Sequence, residues 1–151
     1  MTLDRKSRRA QKLQVAALPF RIDGDRLHVM LITSRDTGLW IIPKGWPQKG
    51  CKPHKVAARE AYEEAGLVGH PAKRCIGSYQ YKKRLSPKVF ITCNVRGFLL
   101  EVEQQLDDWP EKAERQRCWC TPFEAAARVE EFGLRMLLRN FSLPLQTPPG
   151  S

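Results

Sequence analysis

Glu60, Glu63 and Glu64 place three carboxylates within five residues, in the run Arg59-Glu60-Ala61-Tyr62-Glu63-Glu64-Ala65-Gly66-Leu67. On a helical wheel of ~100° per residue, Ala57, Ala58, Ala61, Tyr62 and Ala65 fall within an arc of roughly 140°. The three glutamates fall within an adjoining arc of about 100°. Glu60 and Glu64 are four apart and stack one above the other, with Glu63 beside them. Arg59, four residues before Glu63, can pair with it across one turn. Gly66 is a natural helix stop, because glycine takes the left-handed cap without penalty. Acids this close repel one another, and towards a helix C-terminus they also oppose the dipole. A solvated acidic face is the ordinary explanation of a Glu-Glu pair. A divalent cation is the other, since hard cations take a few carboxylates together with water and substrate phosphate.

The elements that must position these acids follow from the flanking sequence. Leu13 to Phe20 and Leu27 to Thr33 have strand composition and are joined by the turn signal Asp23-Gly24-Asp25, which predicts a hairpin. Leu39 to Ile42 reads as a short buried strand. From Lys44 to Pro53, Gly45, Pro47, Gly50 and Pro53 break regular structure, so a loop leads into the acidic helix. Further strands are predicted at Cys75 to Tyr81, Val89 to Val102 and Gln116 to Cys120, with Lys82 to Pro87 as a basic connection and Asp107 to Glu111 as a loop. Thr121-Pro122-Phe123-Glu124 has the form of a capped helix start. Leu134, Leu137, Leu138 and Phe141 carry the spacing of a packed helical face.

The chain has 151 residues, 42% hydrophobic and 28% charged, which fits one soluble domain. Residues 1–10 read as a disordered basic tail, 11–142 as the domain and 143–151 as a loose Pro-rich tail. No apolar run approaches the ~20 residues of a membrane span, and the N-terminus lacks a signal-peptide core. Neither a membrane nor secretion is expected. Five cysteines without metal-site spacing read as reduced thiols, placing the protein in the cytoplasm. The net charge of +10 calls for a polyanionic partner, either a highly phosphorylated small molecule or nucleic acid. Arg35, Lys44, Lys49, Lys52 and Lys55 precede or open the acidic helix, and Lys82, Lys83, Arg84 and Lys88 form a second cluster. Such forks and point charges suit grouped phosphates. His54 beside Pro53 reads as a surface residue, Trp40 and Trp119 as core. Oligomeric state is not readable.

Gly45, the loop, and then Arg59, Glu60, Ala61, Glu63, Glu64, Gly66 and Leu67 together resemble the signature of the Nudix hydrolases. Cys51 stands where that pattern has Glu, and Ala61 is a small version of its aliphatic. The resemblance implies an α+β fold, an α/β/α sandwich around a central mixed β-sheet. It implies divalent-metal hydrolysis of a pyrophosphate linkage with Mg²⁺, or Mn²⁺ in its place. Carried over, Glu60, Glu63, Glu64 and the Gly45 carbonyl are metal ligands, and Arg59 orients Glu63. A glutamate of the helix or of a later loop acts as base. The family's further carboxylate falls on Glu114 or Glu111. Cys51 implies an altered loop with the core chemistry kept.

Trp40-Ile41-Ile42-Pro43-Lys44-Gly45 resembles a run of the dinucleoside polyphosphate hydrolases. Phe20-Arg21, Thr33-Ser34-Arg35, Asp108-Trp109 and Arg117-x-Trp119 resemble the layout of the diphosphoinositol polyphosphate phosphohydrolases. Phosphate contacts from Arg21, Arg35 and Lys44 are implied, and the basic run Lys82, Lys83 and Arg84 is added to them on charge. RNA 5′ pyrophosphate removal and a non-catalytic nucleic-acid or phosphoinositide-binding module are the alternatives.

Overall fold

The computed structural model describes residues 11–141, with the side chain of Gln11 left aside. The sequence expectations for residues 1–10 and 142–151 lie outside the described residues. Strands β1 (Gln11–Asp23) and β2 (Arg26–Thr33) form the predicted hairpin, in register from Phe20↔Val29 to Asp23↔Arg26. Beyond that point the strands part. β3 (Trp40–Ile41) pairs with β2 at Ile32 and Thr33, and β4 (Lys44–Gly45) pairs with β1 at Val15 and Ala16. The segment from Trp40 to Gly45 is therefore wedged into the fork of the hairpin. Lys44 and Gly45, expected to open a loop, are fixed by sheet pairing instead.

Helix α1 (Pro53–Ala65) follows. β5 (Leu67–Ser86) and β6 (Val89–Gln105) form a long antiparallel hairpin, and β6 runs parallel to β1 over its whole inner edge. Sequence reading starts this strand at Cys75, whereas it begins at Leu67 and takes in Gly69 and Pro71. β5 is the outer strand of the sheet, where a missing N–H and a bulge are tolerated. The basic run Lys82 to Arg84 is likewise strand, paired with Phe90 to Thr92, and not a connection. A 3₁₀ turn (Lys112–Glu114), β7 (Arg117–Cys120) against β2, and helices α2 (Pro122–Arg128) and α3 (Phe132–Asn140) complete the order. Thr121 and Glu124 make the predicted reciprocal cap.

The two faces of the sheet explain the layers. Successive side chains of a strand point to opposite faces. Val15, Ala17, Met30 and Ile32 pack with Val56, Ala57, Ala61 and Ala65 of α1. Ala16, Leu18, Phe20, Val29 and Leu31 pack with Ala125, Ala126, Leu134 and Leu138 of α2 and α3. This is the α/β/α sandwich around a mixed sheet. The alanine stripe of α1 lets its backbone lie close on the sheet, which brings the glutamates of the next face down to β4. His54, expected at the surface, is only 7% exposed.

Candidate active site

The helix that carries the acids ends where the sequence says it must. Gly66 takes φ 67°, and its N–H bonds back into α1. A side chain there is excluded twice, because a Cβ would also stand 2.8 Å from the Trp109 ring. Trp109 closes this end of the helix. It is 9% exposed, its Nε1 donates to the Glu64 carbonyl at 3.1 Å, and Arg117 stacks on it 3.8 Å from the ring centre. Arg117 also donates to the carbonyls of Ala65 and Leu106. Trp109 of the late loop is thus a plug that holds the last turn of α1 in place.

Glu60 and Glu64 face β4 from the first and last parts of one helical turn. Gly45 lies under Glu60 so closely that a Cβ at that position would sit 2.6 and 2.7 Å from its two carboxylate oxygens. The backbone N–H of Lys44 approaches Glu64 Oε1 at 3.3 Å. Glu60, Glu64, Gly45, Lys44, Arg35, Lys83, Trp46 and Glu111 share the wall of a cavity of about 330 Å³. Burial pushes the Glu64 carboxyl up to about 8, and a hydrogen bond that it donates to Glu60 adds to this. Glu60 is also raised, first by burial. The two carboxyls interact, so these shifts belong to the pair.

Arg115 is the residue that sequence reasoning missed. Its side chain is 6% exposed, with Nη2 3.6 Å from Glu64 Oε1 and Nε donating to Glu111 Oε1 at 2.9 Å. Nη1 donates to the Thr33 carbonyl, which ties the guanidinium to β2. No local pattern announces it, because its partners lie in α1, β2 and the loop before β7.

The predicted site residues divide. Glu60, Glu64, Gly45, Arg35, Lys44 and Lys83 come together. Glu63 is half-buried one step round the helix, where its backbone carbonyl accepts from the Glu111 N–H at 3.0 Å, and it is not part of the cavity wall. Arg59 turns to Gln48 of the preceding loop instead of pairing with Glu63. Of the two late-loop carboxylates, Glu111 reaches the cavity; Glu114 lies outside it, 3.6 Å from Arg35. Arg21 pairs with Asp23 at 3.0 Å and covers the ring of Trp119 at the far end of β1, away from the cavity. Lys82, Lys83 and Arg84 line a second, wider cleft of about 1010 Å³, which continues from the first and shares Lys44, Lys83 and Tyr81 with it. Cys51 is exposed in the loop before α1, its N–H donating to the Gln48 carbonyl.

The donor set fits a hard divalent cation. Buried Glu64 and half-buried Glu60 set two carboxyls side by side, next to a glycine whose missing Cβ leaves room at Glu60. Among the described residues no cage of three or more acidic, histidine or cysteine side chains is preassembled. Mg²⁺ commonly needs only one or two protein carboxylates, completing its shell with water and phosphate oxygens.

The NUDIX domain profile matches residues 11–141. Over 104 residues the chain is 31% identical to the mitochondrial Nudix hydrolase 12 of Arabidopsis thaliana, which takes in 67% of this chain and 51% of the relative. It is 29% identical over 110 residues to diphosphoinositol polyphosphate phosphohydrolase 3-alpha of Mus musculus, covering 72% of this chain and 63% of that one. The chain thus spans about half the length of the plant relative. The structure matches the C. elegans Ap4A hydrolase binary complex with a TM-score of 0.62 at 18% identity, over 85% of this chain and 93% of that one. At that identity the likeness is one of fold. No helix among the described residues is long and apolar enough to cross a membrane. With the profile covering residues 11–141, the whole of the sandwich, the chain belongs to the Nudix family.

Proposed function

We propose that this protein hydrolyses a phosphoanhydride bond in a polyphosphorylated small molecule, with Mg²⁺ or Mn²⁺ as cofactor. Diphosphoinositol polyphosphates and dinucleoside polyphosphates are the substrates considered. The observation that carries the reading is the Glu60–Glu64 pair, Glu64 buried, set against Gly45 in a cavity that also presents Lys44, Lys83 and Arg35. Glu60, Glu64 and the Gly45 carbonyl would hold the cation, with Glu63 the next carboxylate on the helix. When bound, the cation neutralises phosphate charge and lowers the pKa of the attacking water. Lys44, Lys83 and Arg35 at the cavity wall supply cationic contacts for the remaining phosphates, with Lys82 and Arg84 further along the cleft. Glu111 is the late-loop carboxylate best placed to accept a proton, and Arg115 fixes its direction. Arg115 also lies beside Glu64, so one guanidinium positions both acids. All five cysteines are free thiols, which suits a reducing compartment, and we assign the cytosol.

The test is incubation with Mg²⁺ and a panel of dinucleoside polyphosphates, nucleoside polyphosphates and diphosphoinositol polyphosphates. Metal-dependent release of phosphate or nucleotide is expected from one class, and Glu64→Gln loses nearly all of it while staying folded. Absence of release from every compound, or full turnover in the variant, sinks the assignment. The strand-borne basic run on β5 favours a second reading, RNA 5′ ends, which triphosphorylated RNA in the same panel separates. Tight ligand binding without hydrolysis, unaltered by loss of Glu60 or Glu64, would instead mark a binding module.

A further inference from the structure

β7 carries two thiols that the carboxylate site does not use. Cys118 and Cys120 are two apart on the strand, so both face α2, while Trp119 between them points the other way, towards α1. Cys120 is buried in the cluster that includes Ala125, Ala126 and Val129, whereas Cys118 is half-buried. Arg128 of α2 donates through Nη1 to Cys118 Sγ at 2.7 Å. The helix cap explains why a guanidinium turns to sulfur. Glu124, one turn earlier and the ordinary partner for Arg128, accepts from the Thr121 N–H at 2.8 Å instead. Cys118 also lies within hydrogen-bond reach of Cys120, whose thiol is pushed up to about 11, by burial first and then by the neighbouring sulfur. One sulfur is thus met by an exposed guanidinium on one side and a buried thiol on the other.

Reactive thiols sit partly exposed beside a cationic side chain. A second thiol within reach lets an oxidised sulfur close a reversible bond before it goes on to higher oxides. We propose that Cys118 is a peroxide-reactive site with Cys120 as its resolving thiol, and that their disulfide loosens β7. In the first step the Cys118 sulfur attacks a hydroperoxide. An S–O bond forms, the O–O bond breaks, and water or an alcohol leaves with the thiol proton. Sulfur gives up two electrons to the peroxide. In the second step the Cys120 sulfur attacks the sulfenic acid. An S–S bond forms, the S–O bond breaks, and hydroxide leaves as water with the Cys120 proton. A dithiol reductant reverses the change by exchange. Residues two apart on a strand stand ~6.6 Å apart at Cα, close to the upper limit of about 6.8 Å that a disulfide spans. Closing the bond therefore strains β7 against its partners Leu31 and Val29 on β2. Arg117, the first residue of that strand, donates to the Ala65 carbonyl and stacks on Trp109, so the strain reaches the end of α1.

Peptide mass mapping of the full chain tests this without turnover. Cleavage after Arg117 and Arg128 releases one peptide that holds Cys118 and Cys120 and no other cysteine. After a few equivalents of hydrogen peroxide at neutral pH, iodoacetamide should leave this peptide unlabelled and lighter by two hydrogens, and dithiothreitol should restore both thiols. Cys120→Ser should stop at a sulfenic acid on Cys118, which dimedone captures. Cys118→Ser should leave Cys120 a free thiol. Arg128→Gln should slow the labelling of Cys118 by iodoacetamide about five- to tenfold relative to Cys51, the exposed thiol of the same chain. The oxidised protein should melt about 5 °C below the reduced one and recover with dithiothreitol, while peroxide leaves the Cys118→Ser variant unmoved. Two intact thiols in this peptide once Cys51 is oxidised overturn the proposal. So does labelling that ignores Arg128→Gln, or an oxidised protein that melts where the reduced one does.

Discussion

If burial raises the Glu64 carboxyl, the stability of the protein in chelator must fall as pH rises. In the folded chain the Glu64 carboxyl titrates at about 8, against 4.5 for the unfolded group. Between these values the folded state holds a proton that the unfolded state has released. Stability is therefore full below pH 4.5 and is lost progressively up to about 8. The slope for one proton is about 1.4 kcal/mol per pH unit. From pH 5.5 to 7.5 the loss comes to ~3 kcal/mol, or a fall of ~5–10 °C in melting temperature for a domain of this size.

The perturbation is Glu64→Gln, which keeps the volume and a hydrogen bond to Glu60 but cannot ionise. Melting curves in chelator at pH 5.5, 6.5 and 7.5 give the difference between the two proteins. Glu60 and Glu131 are also raised, and the net charge of +10 contributes its own pH dependence. Those contributions are largely common to both proteins, so the comparison isolates Glu64. The unaltered protein should lose about 3 kcal/mol more than the variant across this range. Millimolar Mg²⁺ should flatten its curve, since the ion replaces the proton as the counter-charge, and should leave the variant's curve much less changed. Equal slopes in chelator would refute the raised Glu64 carboxyl. Equal slopes with a shared response to Mg²⁺ would move the cation elsewhere.

Other consequences follow from single contacts. Gly45→Ala drives a methyl into the Glu60 carboxylate, so turnover should fall by about 100-fold for an ångström-scale displacement, with little change in the melting temperature. Arg115→Met leaves the half-buried Glu111 without its hydrogen-bonded cation and the Thr33 carbonyl without its donor, while Glu64 stays protonated, and should cost about 1.5–3 kcal/mol in urea unfolding at pH 7.5; a loss below about 0.5 kcal/mol would mean that these bonds contribute nothing. Trp109→Phe removes the bond to the Glu64 carbonyl and should cost about 1 kcal/mol while lowering Mg²⁺ affinity in calorimetry, because the last turn of the helix loosens.

What could be read from the sequence was what depends on short spacing. The stacking of Glu60 on Glu64, the stop at Gly66 and the reciprocal cap of Thr121 and Glu124 are all settled within one helical turn, and periodicity reports them directly. The faces of β1 were not legible, because Val15, Ala16, Ala17 and Leu18 are all apolar and the strand is buried on both sides. What was missed is contact between distant segments. Arg115 joins Glu64, fifty-one residues earlier, to the Thr33 carbonyl, eighty-two residues earlier, and nothing near position 115 marks it. The direction of Arg59 was missed because two partners are within its reach, Glu63 one turn ahead and Gln48 across the loop, and only the fold decides between them. β5 runs back past Cys75 to Leu67 because Gly69 and Pro71, poor residues for a central strand, are tolerated at the edge of a sheet.

Gly66 shows how the two kinds of information meet, and it carries the last prediction. The left-handed cap at φ 67° is a local requirement, whereas the Trp109 ring packed against its Cα is a tertiary one. Asn tolerates the left-handed region better than Ala does, so a purely local role would make Gly66→Asn milder than Gly66→Ala. The Trp109 contact reverses that order, because the larger side chain meets the ring while Ala brings only one methyl. Gly66→Ala should cost about 2–3 kcal/mol, from backbone strain plus overpacking, and Gly66→Asn at least as much. In the background of Trp109→Ala the order should invert, with Asn the milder replacement. Failure of that inversion in urea unfolding would separate Trp109 from the end of α1, and with it the means by which the late loop fixes the position of Glu64.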